Sequence, residues 1–485
     1  MTGRARAAAF AVIAFCALFQ FFTLRSGHSW MDDAFMYVMH ADNLAAGRPY
    51  AQTCYAYTPE NPYPGPAVYP PGYPVLLAVI MKAGGGFRAF KAANVFFLAS
   101  LLVCLLFLAG FPPDDLRAAA LAGLFGLNPV LWNYKDLVYS DILFCFLLYF
   151  SVLVYGRARE RRGSLLYAAA GFACYLAYSV RPLGGILPAA IALEAIASGK
   201  GRWRDLGVLA ACFAVPAAAQ AFFFDLSAYS GTLSAHTADA LVPGASRVLG
   251  GFLTSMLNFW APDLSRAPAA SAAAAALTFA VLAGFTAGLG ARISAKRLEA
   301  MDFFVPLYVG AVAAFRIYDG VRYLFPLMPY LAWKAFEGFG VFRGEAAGRR
   351  ASAVFLAGAL ALYGWTFAAR TEYGTISAGP YSKTAQGMFD YLRTASDRDG
   401  TVIFIKPRSM CFFTGRRSAV YPASGDDAQF MEYFRKEGAS YLVISRIFEQ
   451  DARSLYGFAE RNSRVLEKVY ENQDFKVFRI LPGRG

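Results

Sequence analysis

Val95-Phe96-Phe97-Leu98-Ala99-Ser100-Leu101-Leu102-Val103-Cys104-Leu105-Leu106-Phe107-Leu108-Ala109-Gly110 runs without a charged side chain, and the stretch Ile142 to Gly156 repeats the pattern. With their flanks, such runs reach the roughly 17–25 residues that a helix needs to cross a bilayer. They recur down a 485-residue chain that is 57% hydrophobic and only 16% charged. An average soluble domain is about 25% charged and about 45–50% apolar, and would need a very large interior to hide so many of them. The chain therefore reads as a polytopic α-helical membrane protein.

The formal charge of +13 would suggest nucleic acid in a soluble protein. Here the basic residues sit in short clusters between apolar runs, the pattern of cytoplasmic loops. No basic stripe with interleaved aromatics lies outside those loops, so nucleic acid is not an expected partner. Met1 to Leu24 has a basic start and an apolar stretch, but no small-residue cleavage site follows before Asp32 and Asp33. We read it as an uncleaved first span with Arg4 and Arg6 in the cytoplasm. The clusters Arg157 to Arg162, Lys200 to Arg204, Arg292 to Arg297 and Arg343 to Arg350 then all fall inside, provided that Val75 to Met81 does not cross. That stretch is short and follows Pro70, Pro71 and Pro74. Tyr69 to Gly86 is therefore expected as a helix embedded at the membrane face. About eleven spans remain: roughly 7–24, 90–110, 116–132, 139–156, 164–180, 183–198, 205–224, 268–290, 302–316, 322–341 and 351–369. The C-terminus then ends outside, as in a bacterial inner-membrane protein.

Three external segments follow from this topology. The first runs from Arg25 to about Lys91. The second, Asp225 to Pro268, is moderately apolar and expected to pack on the membrane surface. The third, from Thr371 to Gly485, changes character, with β-like runs at Val402 to Ile405, Tyr441 to Ile444 and Phe475 to Ile480. Charged, helix-compatible stretches such as Ala428 to Glu437 lie between them, which predicts a small soluble α/β domain at 371–485 after a membrane domain at 1–370. Cys16, Cys104, Cys145, Cys174 and Cys212 fall inside apolar runs, where cysteine behaves as a small hydrophobe. No Cys/His spacing suggests zinc. Cys54 and Cys411 both fall outside, which leaves a disulfide open to them.

Asp32 and Asp33 begin a predicted helix that ends at Gly47. Asp33, Tyr37 and His40 share one face of it by their i, i+4, i+7 spacing. Asp32 could simply cap that helix while Asp33 complements its dipole, but one carboxylate suffices for that. Val68-Tyr69-Pro70-Pro71-Gly72-Tyr73-Pro74 reads as a rigid turn that prevents a crossing. Tyr134 to Asp141 is an external loop carrying Asp136 and Asp141, otherwise an ordinary solvated loop. Arg181-Pro182 puts a cation at the outer end of a helix pair, against the general loop bias. In Tyr318-Asp319-Gly320-Val321-Arg322-Tyr323, Arg322 sits where an external loop meets a span. Ionisable groups there often mark a site, although an Arg can also snorkel to lipid headgroups.

The acidic pair after the first span, the Pro-rich embedded segment, the Asp141 loop and the Arg322-Tyr323-Leu324 turn occur together, in this order, in GT-C glycosyltransferases. The membrane part resembles that superfamily, and within it the protein O-mannosyltransferases and the transferases that add aminoarabinose to lipid A. Tyr470-Glu471-Asn472 followed by Phe475 to Ile480 looks like the closing strand of bacterial members. Those relatives usually carry Asp-Glu where this chain has Asp32-Asp33, which leaves sugar and acceptor open.

The resemblance implies a donor sugar on a polyprenyl phosphate and a lipid, glycan or protein acceptor. A phosphate leaving group needs no general acid; the enzyme needs a base for the acceptor hydroxyl and cations for the phosphate. Asp32 would be the base and Asp33 would orient it or the acceptor. Arg322, with Arg181 and Lys82, would hold the phosphate. Tyr37, His40, Tyr69, Asp141 and Tyr323 would line the substrate. Two carboxylates could also bind Mg²⁺ or Mn²⁺, although the nearest relatives act without a metal. A transporter is the rival class, but it should show internal repeats and broken helices near the bilayer midplane. No repeat is present, and the candidate polar residues cluster at the outer face.

Overall fold

The structure is a computed structural model that describes all residues except 1–3, 59–63, 111–114, 162, 200–202, 225–240, 263–266, 315–319, 342–343, 396–398, 423–424 and 482–485. Arg162, Lys200, Tyr318, Asp319, Arg343 and most of the external segment before residue 241 therefore lie outside the described residues. The chain divides into two compact units. The first comprises Met1–Leu24, Pro70–Tyr73 and Gly86–Glu372; the second comprises Arg25–Tyr69, Pro74–Gly85 and Tyr373–Gly485.

The first unit is helical. Among the described residues, six helices are long and apolar enough to cross a membrane: Arg4–Phe22, Phe87–Leu108, Asp141–Arg161, Trp203–Phe224, Pro268–Ser294 and Gly344–Ala369. Ser164–Val180, Ile186–Ser198 and Ala300–Ala314 match three further expected spans but are shorter, at 17, 13 and 15 residues. The remaining two expected spans are broken, and each break has a local cause.

The span expected at 116–132 is two helices, Arg117–Gly126 and Pro129–Lys135. Asn128 caps the second: its Oδ1 accepts from the amides of Val130 and Leu131, at 2.9 Å each. Pro129 fills the first helical position, where its missing N–H costs nothing. Asn128 Nδ2 donates to the Phe259 carbonyl and the Tyr363 hydroxyl, so the buried break leaves no amide donor stranded. The span expected at 322–341 is a 3₁₀ turn, Gly320–Leu324, followed by the 11-residue helix Met328–Gly338. Pro326 and Pro329 interrupt it. The Tyr149 hydroxyl inserts there, donating to the Pro326 carbonyl and accepting from the Tyr330 amide, both at 2.9 Å. A side chain wedged into the i→i−4 ladder is a recognised cause of a helix break.

The second external segment is also different from expectation. Leu241–Trp260 is a helix, and Val248, Phe252, Met256, Phe259 and Trp260 are buried in the core of the first unit. Their i, i+4, i+8 spacing makes one apolar face that packs inward, and Trp260 Nε1 donates to Thr278 Oγ1 at 3.0 Å. The expected embedded segment is an 11-residue helix, Gly72–Lys82, about 16 Å long and too short to cross.

The second unit is built on a five-stranded mixed sheet of β1 (Thr401–Ile403), β2 (Ser418–Ala419), β3 (Ala439–Ser445), β4 (Leu466–Glu471) and β5 (Phe475–Ile480), in the order β2-β1-β3-β5-β4. β1 runs parallel to β2 and β3, whereas β5 is antiparallel to β3 and β4. The expected helix near 428–437 is Asp427–Lys436, opened by a capping box between Asp426 and Gln429. Trp30, from the first external segment, lies in the core of this unit, with its ring against Phe389, Phe404, Phe448 and Phe475. Cys54 and Ala56 pair with Ser418 at the free edge of β2, and a disulfide joins Cys54 to Cys411. Residues 25–69 and 74–85 thus belong with the tail and not with the membrane part to which the sequence assigned them.

Candidate functional site

Asp32 and Asp33 lie in the second unit, at the start of the helix Asp33–Ala46. The helix ends where expected, on Gly47 in the left-handed region (φ +69°). Asp32 has a helical backbone and makes no cap bond to its own helix. Its carboxylate caps another helix instead, Pro407–Thr414, accepting from the backbone amides of Arg408 (3.1 Å) and Ser409 (2.8 Å) and from the Ser409 hydroxyl. An anion at a helix N-terminus satisfies donors the helix cannot and meets the positive end of its dipole.

Asp33 is engaged differently. Its Oδ1 accepts from the Tyr69 hydroxyl at 2.7 Å and from Arg408 Nη1 at 2.6 Å. The Asp33 side chain retains 23% of its exposure while that of Arg408 retains 3%. Arg408 also donates to the Pro64 carbonyl and lies over the rings of Tyr55 and Tyr69, each 5.3 Å from the ring centre. Burial works against its charge, but Tyr69, Asp33 and Asp32 outweigh that and raise the guanidinium above its ordinary pKa. Tyr37 and His40 are buried behind this pair: Tyr37 packs edge-on against Tyr69, and His40 stacks on Tyr50 at 4.2 Å. Burial pushes the His40 pKa down to about 4, so the ring is neutral near pH 7. The structure therefore brings Asp33, Tyr37, His40 and Tyr69 together, and adds Arg408 and Ser409.

Sequence reasoning did not single out those last two. The signal was Lys406-Pro407-Arg408-Ser409, shortly after the buried strand that ends at Ile403: a proline at the first helical position followed by amides ready for an anion.

In this arrangement both Asp32 oxygens accept from Arg408 and Ser409, and a guanidinium stands 2.6 Å from Asp33 Oδ1. Among the described residues, no three His, Cys, Asp or Glu side chains gather as a metal site.

A second polar cluster lies wholly within the first unit. Asp141 opens the helix Asp141–Arg161, and its carboxylate is buried. Arg181 Nη1 lies 2.9 Å from its Oδ1, and Arg322 meets both oxygens through Nε (3.3 Å) and Nη2 (3.2 Å). Arg181 sits in extended backbone between Val180 and Pro182, at the end of the helix Ser164–Val180. Its guanidinium lies near the rings of Phe144 and Tyr323, and that of Arg322 lies 4.5 Å over Tyr139. A snorkelling arginine keeps its head in the wet interface; the Arg322 side chain is only 5% exposed. Lys82, by contrast, is exposed at the end of its helix and belongs to the second unit. A planar fork of five N–H donors can hold a carboxylate and a phosphate oxygen together.

The fold is shared with proteins of known structure. The archaeal oligosaccharyltransferase AglB from Archaeoglobus fulgidus, in complex with an inhibitory peptide and a dolichol-phosphate, matches 90% of this chain over 69% of its own, at 13% identity and a TM-score of 0.59. ArnT from Cupriavidus metallidurans, bound to undecaprenyl phosphate, matches 97% of this chain over 97% of its own, at 12% identity and a TM-score of 0.57. A second structure of the Archaeoglobus enzyme, in complex with Zn and sulfate, matches 98% of this chain over 74% of its own, at 12% identity and a TM-score of 0.56. No family profile matches the chain, and no curated protein matches it by sequence. The chain thus shares the fold of these proteins: a polytopic integral membrane protein with a C-terminal α/β domain.

Proposed function

We propose that this protein is a glycosyltransferase that moves a sugar from a polyprenyl-phosphate donor to the hydroxyl of a lipid, glycan or protein acceptor at the outer face of the membrane. The observation that carries this reading is the convergence of partly buried Arg181 and buried Arg322 on buried Asp141. Paired planar guanidiniums in a membrane unit suit a phosphate whose charge grows as the sugar leaves. In the reaction the acceptor oxygen attacks the anomeric carbon, the carbon–oxygen bond to phosphate breaks, and its electron pair leaves with the phosphate. A single in-line displacement inverts the anomeric centre. The acceptor proton passes to a carboxylate. Asp33 suits that role better than Asp32, because the Asp32 oxygens already accept three hydrogen bonds from the Pro407–Thr414 helix.

The test uses the full-length protein in lipid nanodiscs with undecaprenyl phosphate carrying mannose, glucose or aminoarabinose, and a total membrane extract as the source of acceptor hydroxyls. Release of undecaprenyl phosphate from at least one donor is expected. Turnover of none of them, together with no measurable binding of undecaprenyl phosphate itself, would sink the proposal.

The orientation follows from the same reading. The N-terminus and Arg159 face the cytoplasm, and Ala51 and Gly400 face outward, in a bacterial inner membrane. The Cys54–Cys411 disulfide supports an oxidising compartment for residues 25–69 and the tail. Single cysteines placed at 51 and 400 should react with an impermeant maleimide on intact cells, and one at 159 only after lysis. Labelling of position 159 on intact cells would reverse the assignment.

A further inference from the structure

Within the second unit, the helix Pro407–Thr414 is fastened to the helix Asp33–Ala46 at several points. Asp32 caps its N-terminus. Phe35 packs on Phe412 and Phe413, with ring centres 5.2 and 5.3 Å away. Met39 Sδ touches Cys411 Sγ at 3.4 Å, and the Cys54–Cys411 disulfide ties the same helix to the first external segment. At the centre of these fastenings is Arg408, fully enclosed between Tyr55 and Tyr69 and 2.6 Å from Asp33 Oδ1. Burying a guanidinium this deeply costs several kcal/mol before pairing repays it. A tail domain that needed only to stay attached could do so with apolar contacts and the disulfide.

We infer that Arg408 is the positioning residue for Asp33: the tail supplies a guanidinium, set in place by Asp32 and the Cys54–Cys411 bridge, that holds the Asp33 carboxylate in one orientation for the acceptor hydroxyl. The inference rests on the reading of the protein as a transferase with Asp33 as its base. It gives the α/β domain a part in the reaction although none of its residues need touch the donor. Asp32 then acts through the helix it caps, and the adjacent acids have separate duties. A misplacement of about 1 Å in a reacting group can cost about 10²-fold in rate, which sets the size of the effect.

The experiment uses the full-length protein in nanodiscs and whichever undecaprenyl-phosphate sugar the unaltered protein turns over. If it turns over none, the transferase reading fails before any variant is made. Arg408→Ala should lower kcat by about 10²-fold, with donor KM and undecaprenyl phosphate affinity within about twofold of normal, and added guanidinium ion should restore part of the rate. Arg408→Lys, which keeps the charge and loses the fork, should fall between the two. A normal kcat in Arg408→Ala overturns the inference. So does a loss carried by donor KM, which would make Arg408 a donor ligand, and so does a loss that guanidinium leaves unrestored. A readout independent of turnover checks the scaffold: Asp32→Ala should speed hydrogen exchange at the Arg408 and Ser409 amides, and unchanged exchange there counts equally against it.

Discussion

Asp33→Asn is expected to slow sugar transfer by about 10²–10⁴-fold, the usual contribution of a general base. Asn keeps the shape of the side chain and can still accept the Tyr69 hydrogen bond, but it cannot take a proton. The change also removes the closest carboxylate from Arg408, so some stability should go with it, and the rate must be read per folded molecule. Asp32→Asn should behave differently. Its amide group would turn a donor toward the Arg408 or Ser409 N–H, and the loss of a cap is worth about 0.5–2 kcal/mol. The cost should therefore appear in thermal stability far more than in kcat. The two variants measured side by side decide between the carboxylates. A near-normal rate in Asp33→Asn with a collapse in Asp32→Asn would return the base to Asp32, the assignment suggested by the sequence alone.

Arg322→Ala should reduce transfer by about 10²–10³-fold or more, the scale for removing one oriented donor from a developing anion. Arg322→Lys should retain only part of the activity, because an ammonium cannot reproduce the planar fork. Binding of undecaprenyl phosphate should weaken in both. The geometry adds a control that sequence alone did not call for. Arg322 shares buried Asp141 with Arg181, and removing one partner of a buried pair can cost about 3–5 kcal/mol by stranding the other charge. Arg322→Met combined with Asp141→Asn removes that pair but takes the carboxylate away from Arg181 as well, so the double variant should recover neither full stability nor transfer. If single and double variants alike transfer at the normal rate, Arg322 is no phosphate ligand, and the main support for the functional reading falls.

Local chemistry made much of this fold legible before any coordinates. Apolar runs marked the long helices, Gly47 marked a helix end, and the prolines before Val75 marked a segment that does not cross. Asn128-Pro129 and the pair Pro326 and Pro329 were equally readable as breaks, but the apolar residues around them outweighed those signals in a reading based on length. The helix at 241–260 was misplaced because its buried face alternates with exposed Leu249 and Leu253, which lowers its average apolarity. Both candidate acids and both membrane arginines stood out as charges in apolar surroundings. Arg408 did not, because an arginine in a soluble domain is ordinary until its partners are known, and the two carboxylates among them lie 376 and 375 residues away in the chain. The capping role of Asp32 was hidden in the same way: helix patterns reveal a residue's own helix, never a distant one.

The enclosure of Trp30 by the tail's aromatic residues also governs how the protein is made. Cys54 leaves the ribosome 357 residues before Cys411, which at about 5–20 residues per second is roughly 20–70 s of synthesis. Throughout that interval a bulky indole, a free thiol and two acids wait for a domain that does not yet exist. Chaperones and thiol oxidases of the compartment that receives this segment would meet it as an incomplete client, so the yield of functional protein depends on how well the cell shelters it until translation is complete.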